Sequence, residues 1–97
     1  MILVTGSFLA KEESLEETLR LCHEHVSRSR AEPGCISHAV YRDGENPRRL
    51  FFFEEWESQQ ALDAHFAVAG TRGFAKALAG LAEDAPQLAI YDANRLR

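Results

Sequence analysis

Leu50-Phe51-Phe52-Phe53-Glu54-Glu55-Trp56-Glu57-Ser58, running into Gln59-Gln60-Ala61-Leu62-Asp63-Ala64-His65-Phe66, changes its period part-way along. Leu50 to Trp56 is rich in aromatic residues and reads as a strand. Ser58 has the chemistry of a helix N-cap, because its hydroxyl can accept from a free N–H of the first turn. Ala61, Leu62, His65 and Phe66 then fall at helical spacing. On the strand, alternation puts Phe52, Glu54 and Trp56 on one face and Phe51, Phe53 and Glu55 on the other. The spacing does not say which of these faces meets the helices. His65, three residues after Leu62 and one before Phe66, lies on or beside the apolar stripe of its helix.

Asp43-Gly44-Glu45-Asn46-Pro47, just upstream, is dense in turn formers and predicts a hairpin loop. The strand it closes is Cys35 to Arg42, with Ile36, His38 and Val40 on one face and Ser37, Ala39 and Tyr41 on the other. Pro33-Gly34 ends the helix before it. That helix carries Leu15, Leu19, Cys22 and Val26 as one apolar stripe, and Ser14 with Glu17 has the spacing of a capping box. Glu12, Glu13, Glu16 and Glu17 crowd its start and Arg28 and Arg30 its end, as the helix dipole favours. Residues 2–9 read as the first strand.

Downstream, Gly70 is expected to break the helix, and Phe74, Ala77, Leu78 and Leu81 form a second short one. Pro86 separates it from a last strand, Gln87 to Tyr91. The order is β-α-β-β-α-β with the second helix broken, which predicts an α+β, ferredoxin-like fold: an antiparallel four-stranded sheet with helices on one face. Every strand is apolar at both parities, as in Leu3 and Val4, Phe51 and Phe52, Leu88 and Ala89. The face opposite the helices is therefore expected to pack against a second copy, giving a homodimer through the sheet.

The chain has 97 residues, a formal net charge of −4 and 45% hydrophobic residues. This predicts one domain over residues 1–97, with too much apolar content for disorder. The acidic balance argues against a nucleic-acid or anionic-membrane surface. No apolar run approaches the roughly 20 residues of a membrane span. Met1 to Gly6 lacks the basic segment of a signal peptide, so a cytoplasmic location is expected. Cys22 and Cys35 then read as two buried thiols.

Among titratable residues His65 has two readings. It is either a core-edge histidine satisfied by one partner or a general acid–base group, since imidazole exchanges protons near neutral pH. Trp56 is core or binding wall. Glu54, sharing a parity with Phe52 and Trp56, needs a partner if that face is buried, and is an ion-pair member or a proton acceptor. Tyr41 is divided between structure and site. His23 and His25, two apart on a helix, point in different directions, so no metal site is expected there. Nucleotide fingerprints, zinc-ligand spacing and a GxSxG element are all missing, and no cofactor is expected.

Glu32-Pro-Gly-Cys-Ile36, Val40-Tyr-Arg-Asp43, Glu54-Glu-Trp-Glu-Ser58 and Ala61-Leu-Asp-Ala-His65-Phe66 together resemble the antibiotic biosynthesis monooxygenase family. The resemblance covers about residues 30–78. It implies a dimeric α+β barrel, and it implies oxidation of a quinol or polycyclic phenol by O2 without metal, flavin or nicotinamide. By position, Glu54 and Trp56 match the family's Glu-x-Trp, His65 its helix histidine, and Arg72 and Phe74 its Arg-x-Phe. Ala69-Gly70-Thr71 stands where many members read Pro-His-Phe, and His38 where an aromatic is common. The haem-degrading relatives match poorly around Gly6-Ser7 and at His65.

The resemblance therefore makes His65 the catalytic residue. Phe52, Trp56 and Phe66 become walls for a small aromatic substrate, with Glu54, Tyr41, His38 and Arg72 as further binding residues. The alternatives on the same fold are a small-molecule isomerase and a ligand-binding module without turnover.

Overall fold

The computed structural model describes residues 1–97. Its strands are β1 (Ile2–Leu9), β2 (Cys35–Arg42), β3 (Arg49–Trp56) and β4 (Gln87–Asp92), and its helices are α1 (Leu15–Arg30), α2 (Gln59–Ala67) and α3 (Ala69–Leu81). The strands form one antiparallel sheet in the order β2-β3-β1-β4. The expected α+β, ferredoxin-like plan is thus the observed one. No helix is long and apolar enough to cross a membrane.

The parity left open by the sequence is settled by burial. Leu50, Phe52, Glu54 and Trp56 of β3 are buried under the helices, as are Val4 and Phe8 of β1. Phe51, Phe53 and Glu55 face the other way. The larger core cluster joins Phe8, Leu50 and Phe52 of the sheet to Cys22 and Val26 of α1 and Leu78 of α3. A smaller one joins Val4 and Trp56 to Leu62 of α2. Burial pushes the Cys22 thiol up to about 12, so it behaves as a small apolar residue.

Four local expectations change. The pairing of β2 with β3 shifts between Cys35 and Ser37. This bulge turns Cys35 towards Trp56 and leaves Ile36 52% exposed, so Ile36 does not share a face with His38 and Val40. Ser14 makes no side-chain cap to α1. A 3-10 turn over Glu12–Ser14 gives Ser14 a ψ of 6° rather than the extended backbone of a capping residue, and its carbonyl instead accepts from the Thr18 hydroxyl at 2.8 Å. The break between α2 and α3 falls at Val68, whose ψ of 132° ends one helix and starts the next. Gly70 lies inside α3 and serves a close approach, since a Cβ there would sit 2.5 Å from Arg28 Nε. Cys35 is only partly buried, so the pair of buried thiols reduces to one.

The remaining punctuation holds. Ser58 accepts the Ala61 N–H at 3.1 Å and caps α2. Asp43 and Asn46 each fold their side chains onto the backbone two residues ahead, at 2.9 and 3.0 Å, which shapes the hairpin loop. Gly34, at φ 82°, turns the chain from α1 into β2 with Ala61 pressed against it. The helices do not extend over β4. Leu88 and Ile90, opposite Gly6 and Val4 on the helix-side face, are consequently 58% and 46% exposed.

Candidate functional site

The Ser58 cap sets the rotation of α2, so Leu62 and His65 both fall on its buried face. His65 is 2% exposed and lies tilted against the Trp56 indole, with centroids 4.6 Å apart. Its Nδ1 is 2.9 Å from Glu32 Oε1, at the turn that Pro33 and Gly34 complete. With Nδ1–H donated to that carboxylate, the neutral ring carries its lone pair on Nε2. Thr71 Oγ1 is 3.4 Å from the same Nδ1.

Glu54 projects from β3 into the same region. Its Oε1 accepts the Trp56 indole N–H at 2.9 Å and lies 4.0 Å from His65 Nε2. His38 Nε2 is 3.3 Å from that oxygen but off the line of a hydrogen bond, and neither ring nitrogen of His38 has a hydrogen-bond partner. Burial by itself would raise the Glu54 carboxyl. The His38 ring, the Trp56 N–H and the nearby His65 ring outweigh burial and hold it below its ordinary value.

His25 of α1 completes the group. Its ring stacks on Phe74 of α3 at 4.1 Å and an interplanar angle of 5°. Arg28 Nη2 donates to its Nδ1 at 3.1 Å and to the Gly70 carbonyl at 3.0 Å. Burial first, then repulsion from His38, His65 and Arg28, pushes His25 down to about 3, so it is neutral at physiological pH.

These side chains border a cavity of about 360 Å³ between the sheet, α2 and α3. Its apolar wall is Phe8, Phe52, Phe66, Phe74, Leu78 and Leu88, and its polar atoms come from His25, Glu54, His65 and Thr71. The volume suits a small aromatic molecule. Of the residues named from sequence, Phe52, Glu54, His65 and Phe66 border the cavity. Trp56, fully buried, stands behind His65, and His38, 1% exposed, stands beside Glu54. Tyr41 is 56% exposed on the outer face, opposite Phe51, and Arg72 points to solvent one residue beyond Thr71. The structure brings neither to the cavity.

His25 is the residue that the sequence reading passed over. The spacing from His23 shows only that the two diverge. The usable signal is its phase, three residues after Cys22 and one before Val26, which places it inside the apolar stripe. His23 is exposed.

A four-stranded antiparallel sheet with its helices on one face thus holds, under those helices, an apolar cavity bordered by two histidines. The chain belongs to the antibiotic biosynthesis monooxygenase family, whose model matches residues 1–77. It is 33% identical over 90 residues to the uncharacterized protein sll1783 of Synechocystis. That match takes in 93% of this chain and spans 61% of the relative's length. A crystal structure of an antibiotic biosynthesis monooxygenase superposes with a TM-score of 0.90 at 26% identity, covering 98% of this chain and all of the other. A conserved protein from Methanosarcina mazei gives 0.91 at 28% identity, covering 96% and 92%. The family suggests a monooxygenase-like role on a small molecule.

Trp56→Phe keeps the ring against His65 and removes the only indole N–H that holds Glu54. A charge-assisted bond lost in a buried site, with a small void added, should lower unfolding free energy by about 2–4 kcal/mol. Urea denaturation reads this directly, and a change under about 0.5 kcal/mol would contradict the assigned bond.

Proposed function

We propose that this protein is a cofactor-independent monooxygenase that oxidises a quinol or polycyclic phenol with O2. The observation that carries the reading is His65, which borders an aromatic-walled cavity with Nδ1 committed to Glu32 and Nε2 free. A phenol bound between Phe52, Phe66 and Phe74 gives its proton to His65 Nε2. The resulting anion passes an electron to O2, and the radical pair joins at a ring carbon that carries hydrogen. Breaking the O–O bond while that carbon loses its one hydrogen, with His65 returning the phenolic proton, leaves one oxygen on the substrate as a carbonyl and releases the other as water. The ring C–H, the phenolic O–H and O2 thus become two quinone carbonyls and H2O, with all four electrons from the substrate.

The protein's contribution is a dry, oriented site and a base held at fixed distance. Trp56 fixes the His65 ring from behind, and Glu54 lies near enough to favour the imidazolium once the proton arrives. His38 supports Glu54 from β2. Tyr41 and Arg72, outside the cavity of one chain, have no part in this proposal.

The same reading includes a homodimer. On the face away from the helices Tyr41 and Phe51 pair at one end, 56% and 39% exposed, and Tyr91 stands 51% exposed in the row of Leu3, which leaves apolar surface uncovered on a small chain. Sedimentation equilibrium at micromolar concentration should give twice the chain mass; a folded monomer would refute this part.

Oxygen uptake with a panel of hydroquinones and polycyclic phenols tests the activity. His65→Gln keeps volume and a hydrogen bond but cannot titrate near neutral pH, so turnover should fall by about 10²–10⁴ with the fold intact. Wild-type turnover in that variant would rule out the proton role. Turnover of a substrate without oxygen consumption would favour an isomerase instead.

A further inference from the structure

We propose that His25, His38 and His65 form a binding site for one divalent transition-metal ion of the zinc type, with Glu54 as a fourth ligand. The three imidazoles come from α1, β2 and α2, all are buried, and their ligand-capable atoms lie within 4.8 Å of one another. The chain has four histidines, and only exposed His23 lies outside this group.

Two observations distinguish the cluster from ordinary core histidines. His38 has a side chain with no solvent exposure and no hydrogen-bond partner on either nitrogen. Buried polar atoms are normally satisfied, yet the chain offers this ring only the Glu54 carboxylate, 3.3 Å from Nε2 and off the line of a hydrogen bond. Next, His65 already has the arrangement of a metal-bound histidine. Its Nδ1 rests on the Glu32 carboxylate at 2.9 Å, which orients Nε2 and raises its basicity.

Three imidazoles and one carboxylate suit zinc, cobalt or another borderline first-row ion rather than magnesium or calcium, which prefer oxygen. Glu54 Oε1 is 3.3 Å from His38 Nε2 and 4.0 Å from His65 Nε2, so it sits beside the same centre. Bonds of about 2.0–2.1 Å require ligand atoms roughly 3.3 Å apart in a tetrahedron, so the rings must close by about an ångström and a half. His25 can slide along the face of Phe74, on which it lies flat. Binding at its Nε2 moves the ring proton to Nδ1 and displaces Arg28 from that nitrogen, while Arg28 keeps the Gly70 carbonyl.

The ion and the base role exclude each other, because His65 has one free lone pair. The inference therefore goes beyond the proposed oxidation and stands or falls separately from it. The test is titration of the chelator-stripped, full-length protein with Co²⁺, followed by displacement with Zn²⁺. One Co²⁺ per chain, with the visible bands of a four-coordinate site, is expected. His38→Phe should weaken binding at least 100-fold while keeping cooperative unfolding, since it replaces an orphaned ring with an apolar one. Glu32→Gln, at a partly exposed turn, should weaken it about 10–100-fold. His23→Ala should leave binding unchanged.

No stoichiometric Co²⁺ binding to the wild type, or binding that His38→Phe leaves intact, would overturn the site. Zinc should also suppress oxygen uptake, reversibly with chelator; full activity in the zinc-loaded protein would overturn the shared use of His65. A stripped protein that binds Co²⁺ as expected but never consumes oxygen would count against the proposed oxidation alone.

Discussion

A carboxylate in the middle of an apolar layer is the constraint around which this molecule is arranged. Glu54 stands on β3 between Phe52 and Trp56, all three under the helices. Burying such a group without partners is prohibitive, so the surrounding residues are those that can donate to it or carry charge beside it. Trp56 donates from two residues along the same strand. His38 reaches its edge from β2, in direct register. His65 approaches from α2, itself fixed at the far nitrogen by Glu32. Each partner comes from a different element, so the polar group ties the sheet to the helix break and to the α1–β2 turn. The helices around it must then leave room, and the cavity is that room.

Much of this was legible from residue order. The period change at Ser58 located both β3 and α2, and the turn formers Asp43 to Pro47 located the hairpin. The pairing of Glu54 with Trp56 on one parity was also readable, as was the need of Glu54 for a partner if buried. Its partners could not be read, because Glu32, His38 and His65 meet only when three separate elements pack. The bulge at Cys35 escaped for a related reason. Strict alternation assumes one residue per register step, and one extra residue before Ser37 sends Ile36 outward. The capping box at Ser14 failed because a 3-10 turn gives the same local sequence a different ψ. His25 escaped because its spacing from His23 was weighed ahead of its phase with Cys22.

The four-histidine inventory of the chain is unusually concentrated. Three rings lie together, and the two that border the cavity have their outer nitrogens engaged in opposite senses. Arg28 donates to Nδ1 of His25, which favours a proton on its Nε2. Glu32 accepts from Nδ1 of His65, which favours a lone pair on its Nε2. A hydrogen-bond donor on one ring and an acceptor on the other then face the same cavity. The aromatic wall from Phe8 to Phe74 lines that cavity, and the uncovered helix-side face of β4 leaves Leu88 at its rim.

The central claim is the protonation pattern of these two rings, and nitrogen-15 NMR of histidine-labelled, chelator-stripped protein reads it directly. At neutral pH His65 should give the signature of a ring protonated on Nδ1 with a bare Nε2, and His25 the reverse. A His65 ring protonated on Nε2, as the other neutral tautomer or as an imidazolium, would contradict the account, because no base would then face the cavity.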